Sequence, residues 1–112
     1  MLIYGAGRGG LLLVRELLQN ADLALAPIGF LDDDPLKRRQ KLEGMAVLGS
    51  VMDLPDIARR QRVDEVLISI RDLSADQFSL LSSLCREHDI ALRRMRLTIE
   101  HIIGTGVLRP PS

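Results

Sequence analysis

The segment Leu2-Ile-Tyr-Gly-Ala-Gly-Arg-Gly-Gly10 decides the fold of this chain, because an apolar run stops at a glycine and an amphipathic run follows directly. Residues 1–4 read as a buried strand and Gly5 to Gly10 as a tight turn. In Leu11 to Asn20, Leu13 and Leu17, and Val14 and Leu18, pair at i, i+4, while Arg15, Glu16 and Gln19 mark a wet side, which predicts a helix. Glycines at 5, 7 and 10 complete a G-x-G-x-x-G pattern in the strand-turn-helix context that gives it meaning. Gly5 permits the sharp exit from the strand, Gly7 lets a ligand phosphate reach the backbone, and Gly10 lets the helix pack closely on the sheet.

Working outward, Ala26 to Leu31 reads as a second strand, ended by Asp32-Asp33-Asp34-Pro35. Residues 36–44 are a charged connection with too few apolar positions for a crossover helix, so a loop or one short helical turn is expected. Met45 to Leu48 suits a third strand. Ser50 or Asp53 then caps a helix through Arg60, with Leu54, Ile57 and Ala58 inward and Pro55 in its first turn. Val63 to Ile70 carries the apolar run of a strand covered on both faces. Ser74 and Gln77 form a capping box opening a helix to about His88, with Phe78, Leu81, Leu84 and Cys85 on one face. Ile90 to Leu97 reads as a last, half-wet strand. Alternating strands and helices imply right-handed crossovers. The expected architecture is α/β: a Rossmann-like three-layer sandwich around a five-stranded parallel sheet, order 3-2-1-4-5, on residues 1–97, with 98–112 as a tail or linker.

Composition narrows the functional classes. At 112 residues the chain holds one domain and no separate substrate domain. Fifteen basic residues balance fifteen acidic ones, and aromatics are 3%, which argues against a nucleic-acid surface built on charge or stacking. Its longest apolar runs reach about half a membrane span, so the chain is expected to be soluble. The single cysteine, Cys85, rules out an internal disulfide, fits a reducing compartment, and on its apolar helix face reads as core. No secretory signal is expected, and the short strand after Met1 leads us to expect that the chain is cut from a longer parent.

The candidate ligand contacts are Gly5, Ala6, Gly7, Arg8, Gly9 and Gly10, with Asp32. Unpaired N–H groups and the partial positive charge at the start of the helix favour a phosphate, and Arg8 adds its own charge. Asp32 lies 22 residues after Gly10, at the end of the second strand, where a carboxylate accepts ribose hydroxyls. That favours NAD over NADP, although Lys37, Arg38 and Arg39 soften the preference, and NADP or another adenine nucleotide stays open. A solvated turn is the alternative for Asp32; Asp33 and Asp34 are expected only to end the strand. His88 and His101 have no ligand-spaced partners for a metal. Arg93, Arg94 and Arg96 read as a solvated edge, the alternative being contact with a partner or an anion. The lone Tyr4 lacks the Tyr-x-x-x-Lys pair of short-chain reductases, so no catalytic set is identified.

Pro27-Ile-Gly-Phe-Leu-Asp-Asp-Asp-Pro35, Gly44-Met-Ala-Val-Leu-Gly-Ser50 and Asp64-Glu-Val-Leu-Ile-Ser-Ile70, taken with the glycine turn, carry a resemblance over residues 2–97. The chain resembles the amino-terminal Rossmann, CoA-binding-like domain of bacterial membrane-bound nucleotide-sugar dehydratases and epimerases of polysaccharide biosynthesis. A similar module is appended to polyprenyl-phosphate sugar-phosphate transferases, and Leu84-Cys-Arg-Glu-His88 with Arg93-Arg-Met-Arg-Leu97 is closest to that setting. Arg71-Asp72-Leu73 departs from the Pro-Ser that such domains often carry after the fourth strand. The resemblance implies a cytoplasmic domain tethered to a membrane-bound parent that holds the remaining domains. A nucleotide-binding regulatory or scaffolding module is the leading expectation. The rivals are the cofactor-holding part of a nucleotide-sugar oxidoreductase or dehydratase, and a structural or oligomerisation module without ligand. In the tail, Ile99 to Ile103 is expected to pack on this domain or on a second copy, which makes a homodimer an expectation.

Overall fold

A computed structural model of the chain describes residues 1–20, 26–70 and 73–94. The strands are β1 (Leu2–Tyr4), β2 (Gly29–Leu31), β3 (Lys41–Leu42), β4 (Met45–Gly49), β5 (Glu65–Ile68) and β6 (Ala91–Arg94). The helices are α1 (Arg8–Gln19), α2 (Leu54–Arg60) and α3 (Ala75–Glu87). One sheet runs in the order β3-β4-β2-β1-β5-β6, parallel throughout except for the β3–β4 pair. Without β3 this is the expected order.

The period of two along each strand sends its residues to two separate cores. Ile3 lies beside Phe30 on one side and Leu67 on the other, and Phe30 lies beside Val47. With Leu13, Val14 and Leu17 of α1, these residues form one apolar cluster. Leu2, Tyr4, Leu31, Val66 and Ile68 face the other way, against Leu54 and Ile57 of α2 and Leu81 and Cys85 of α3. The result is three layers, with α1 the one helix on its face among the described residues. Burial of strands on both faces is what lets them be short and almost wholly apolar.

Three local features differ from the expectations. The connection 36–44 opens with the expected short helical turn, at Pro35–Lys37, but its end pairs with β4 as a hairpin: Glu43 (φ 52°) and Gly44 (φ 80°) both adopt left-handed geometry. Such a pair matches the twist of a two-residue hairpin loop, and it adds the short sixth strand. Helix α1 begins at Arg8, earlier than Leu11, because Gly7 is already its N-cap. Phe78 and Leu18, expected on buried faces, are 44% and 56% exposed. On α1 the buried positions are Gly10, Leu13, Val14 and Leu17, a stripe too narrow to reach Leu18.

The capping predictions have clear counterparts. Ser74 and Gln77 exchange side-chain to backbone hydrogen bonds, both at 3.1 Å. Ser50 caps a short 3-10 turn (Val51–Asp53) that leads into α2. Asp53 accepts from the Ser50 N–H at 2.8 Å and from its hydroxyl at 3.2 Å. The Ser50 backbone bond above all, aided by its hydroxyl and by Arg38 and Arg60, holds the Asp53 carboxyl below its ordinary value against the opposing effect of burial. Arg93 is not purely solvated: its guanidinium donates to Glu65 Oε2 at 2.6 and 3.0 Å. The tail 98–112, the end of the expected last strand at 95–97, and Arg71 and Asp72 lie outside the described residues.

Candidate functional site

β1 delivers the chain to Gly5 at the carboxyl end of the sheet. Gly5 has φ +114°, a conformation closed to other residues without strain, and its N–H donates to the Leu31 carbonyl at 2.8 Å. The Ala6 N–H donates to Asp32 Oδ2 at 2.8 Å, and α1 starts two residues later. On the other side, the Ser69 hydroxyl is shared between the carbonyls of Tyr4 and Gly5, at 3.0 and 3.1 Å. The turn is thereby anchored to β2 and to β5.

The glycines divide by what surrounds them. A Cβ on Gly10 would lie 1.9 Å from the Gly5 carbonyl oxygen, and one on Gly9 would lie 2.8 Å from the Ser69 carbonyl oxygen. These two glycines let α1 press its first turn onto the ends of β1 and β5. A Cβ on Gly7 would meet only Lys37 Nζ, at 3.5 Å. Gly7 therefore faces outward, with no crowding from the protein to explain it. The N–H groups of Gly7, Arg8, Gly9 and Gly10 make no hydrogen bond among the described residues, as the geometry of a helix start dictates. These four N–H groups stand together at the start of α1, the helix end that favours an anion.

The three aspartates after β2 have separate tasks, which corrects the expectation that Asp33 and Asp34 only end the strand. Asp32 accepts from Ala6 N–H through Oδ2 and from Asp34 N–H through Oδ1 at 2.9 Å, and its side chain is 12% exposed. Asp33 accepts from the buried Tyr4 hydroxyl and, at 2.9 Å, from the Val51 N–H, tying β1 to the loop after β4. Burial, and then the bond to Asp33, hold the Tyr4 phenol far above its ordinary value, so it stays a neutral donor. Asp34 caps a 3-10 turn at Pro35–Lys37 by accepting from Leu36 N–H at 2.9 Å.

The structure thus brings the glycine turn, Gly5 to Gly10, against Asp32 at the carboxyl end of the sheet, with Gly5, Ala6 and Gly10 buried, Gly7 and Gly9 half-buried and Arg8 exposed. Reading the sequence noted Lys37 only as a nearby cation that softens the NAD preference, and gave Ser69 no role. Lys37, held in the capped turn, reaches to 3.7 Å from Asp32 Oδ2 and lies over Gly7. Ser69 braces the turn from β5. An Asp-Pro pair marks a capped turn, so the position of Lys37 had a faint signal; Ser69 had none. Burial pushes the Cys85 thiol up to about 11, in keeping with a core residue. Among the described residues no three His, Cys, Asp or Glu side chains are grouped to hold a metal, and no helix is long and apolar enough to cross a membrane.

The layering and the glycine turn define a Rossmann-like domain. Residues 1–90 match the family described as a CoA-binding domain, and the chain belongs to that family. It is 32% identical over 95 residues to the capsular polysaccharide biosynthesis protein CapD of Staphylococcus aureus. To the probable polysaccharide biosynthesis protein EpsC of Bacillus subtilis it is 29% identical over 104 residues. These alignments take in 84% and 93% of this chain but only 16% and 17% of the two relatives. The chain therefore spans about one sixth of the length of the curated relatives it matches. The resemblance to an amino-terminal domain of polysaccharide biosynthesis proteins is supported. Among solved structures, RSP, a Rex-family repressor, has the same fold, with a TM-score of 0.68 at 17% identity over 86% of this chain and 52% of that one. Its complex with beta-NADH aligns with a TM-score of 0.66 at 16% identity over 91% of this chain and 55% of that one.

Proposed function

We propose that this domain binds an adenine nucleotide carrying a diphosphate, NAD(H) in the first place, and that it senses or scaffolds within an enzyme of bacterial polysaccharide biosynthesis. The observation that carries the reading is the asymmetry of the glycines: two serve packing, whereas Gly7 leaves room beside four unpaired N–H groups at the start of α1. That arrangement suits a diphosphate, which brings charge to the helix terminus and acceptors to its donors. Asp32, at the end of β2, keeps lone pairs for ribose hydroxyls beyond the two backbone bonds it accepts. The family's description and the ligand in the RSP complex support the same class, because CoA and NADH share an ADP moiety.

In this proposal the role is not catalytic. The parent is a membrane-bound nucleotide-sugar dehydratase, epimerase or sugar-phosphate transferase whose reacting groups lie on other domains, and the module faces the cytoplasm. Calorimetric titration of the chain with NAD, NADH, NADP, coenzyme A, ATP and UDP-sugars tests the reading. Saturable binding of an ADP-containing ligand, abolished in Gly7→Val while the melting curve is unchanged, is the expected result. Binding that survives Gly7→Val at full affinity would make the turn purely structural.

A further inference from the structure

Lys37 has an environment that the fold alone does not require. Its backbone is fixed: Pro35 restricts φ, Asp34 caps the turn, the Lys37 N–H donates to the Asp34 carbonyl at 3.0 Å, and Gln40 N–H donates to the Lys37 carbonyl at 3.1 Å. From this platform the ammonium extends to the glycine turn, 3.5 Å from where a Gly7 Cβ would stand. Its nearest carboxylate oxygen, Asp32 Oδ2, is 3.7 Å away, too far for a hydrogen bond, and that oxygen already accepts from Ala6 N–H at 2.8 Å. The side chain is 32% exposed, so the cation is partly desolvated without a hydrogen-bonded counter-ion among the described residues.

We infer that Lys37 is the residue that selects for phosphate in this site. This rests on the nucleotide-binding reading above and deepens it. Without ligand the ammonium is held loosely by Asp32. When a diphosphate settles on the N–H groups of residues 7–10, the ammonium moves onto a phosphate oxygen and gains a charge-assisted hydrogen bond at normal length. Asp32 loses its cation at the same moment and becomes a better acceptor for a ribose hydroxyl. One lysine thus couples recognition of the phosphate to recognition of the sugar. Arg8 is exposed, whereas Lys37 spans the gap between Gly7 and Asp32.

The test compares ADP with adenosine on the full chain by NMR titration, which reads affinities into the millimolar range. For Lys37→Gln the expected result is a loss of about ten- to hundredfold in ADP affinity, the worth of one hydrogen bond to a charged group. Adenosine affinity should not fall, since the substitution also frees Asp32 for the ribose. Lys37→Arg should recover most of the ADP affinity, and the charge-matched control Arg59→Gln, on α2, should bind as the parent does. An equal loss for ADP and adenosine would reduce Lys37 to a loop support, and no loss for either would remove it from the site; both overturn the inference while leaving the nucleotide reading intact. A parent chain that binds neither ADP nor NADH at millimolar concentration overturns the nucleotide reading itself, and this inference with it.

Discussion

Gly10→Ala and Gly7→Ala make the same chemical change three residues apart, and the structure assigns them opposite consequences. At Gly10 the added methyl would sit 1.9 Å from the Gly5 carbonyl oxygen, 3.0 Å from its carbon and 3.2 Å from Phe30 Cε1. Reaching even 3.0 Å from the oxygen requires a retreat of about 1.1 Å, and the obstacle is backbone, which cannot rotate aside. Since α1 packs on this face of the sheet, the shift loosens the contacts of Leu13, Val14 and Leu17 with Ile3 and Phe30. Overpacking of this kind costs about 2–3 kcal/mol, and in a domain this size that lowers Tm by roughly 8–24 °C. At Gly7 the backbone (φ −92°, ψ −157°) is open to any residue and the methyl meets only the end of Lys37. Stability there should move by less than about 0.5 kcal/mol, while NADH or ADP binding is lost because the methyl occupies the phosphate's approach. Thermal melts by circular dichroism, paired with calorimetric titration, read both quantities. A Gly10→Ala variant melting within about 2 °C of the parent would refute the reasoning, since close approach would then not be the reason for glycine there.

Three further outcomes follow from the geometry. Tyr4→Phe strips the donor from Asp33, leaves that carboxylate bonded only to Val51, and should cost about 1–3 kcal/mol in urea unfolding. Asp53→Ala should cost about 1 kcal/mol through the lost cap of the α2 entry. Because the Asp53 pKa is depressed on folding, its contribution is present above its ordinary value near 4 and is lost as the pH falls through the depressed value; the Ala variant should lack that component in an acid stability series. Cys85, with its thiol pushed up to about 11, should react with a thiol reagent only through opening of the fold, and its share of stability should fade as the pH rises from about 9 towards 11.

The glycine spacing and the alternation of apolar runs with amphipathic ones were enough to read the parallel layers, since a strand covered on both faces is apolar throughout. Ser74 and Gln77 were equally legible, because a capping box is a local device. The β3–β4 hairpin was hidden by its loop: Glu43-Gly44 is not one of the usual Asn-Gly or Asp-Gly pairs, and a non-glycine residue at positive φ has no signature of its own. Phe78 was misread for a different reason. Period shows which residues share a helix face but not how wide the covered stripe is, and that depends on the neighbouring layer. In the site, the turn and Asp32 could be located by spacing along the chain. The reach of Lys37 to Gly7, and the brace from Ser69, come from segments 30 and more than 60 residues away, and only the assembled sheet brings them together.

The anchoring of the turn has a dynamic consequence. β1 lies between β2 and β5 and is hydrogen-bonded on both sides, so its amides and that of Gly5, bonded to Leu31, belong to the part of the molecule that exchanges with solvent only on global opening. The Ala6 amide, held by Asp32, should be nearly as slow, whereas those of Gly7, Arg8, Gly9 and Gly10 have no acceptor among the described residues. The boundary between slow and fast amides therefore falls between neighbouring residues, inside the turn itself. A ligand that arrives there finds its donors held by a frame that is already ordered, so little of its binding free energy is lost to freezing the chain. Deuterium exchange without ligand should show this step from slow Ala6 to fast Gly7, and ligand should slow only the residues on its far side.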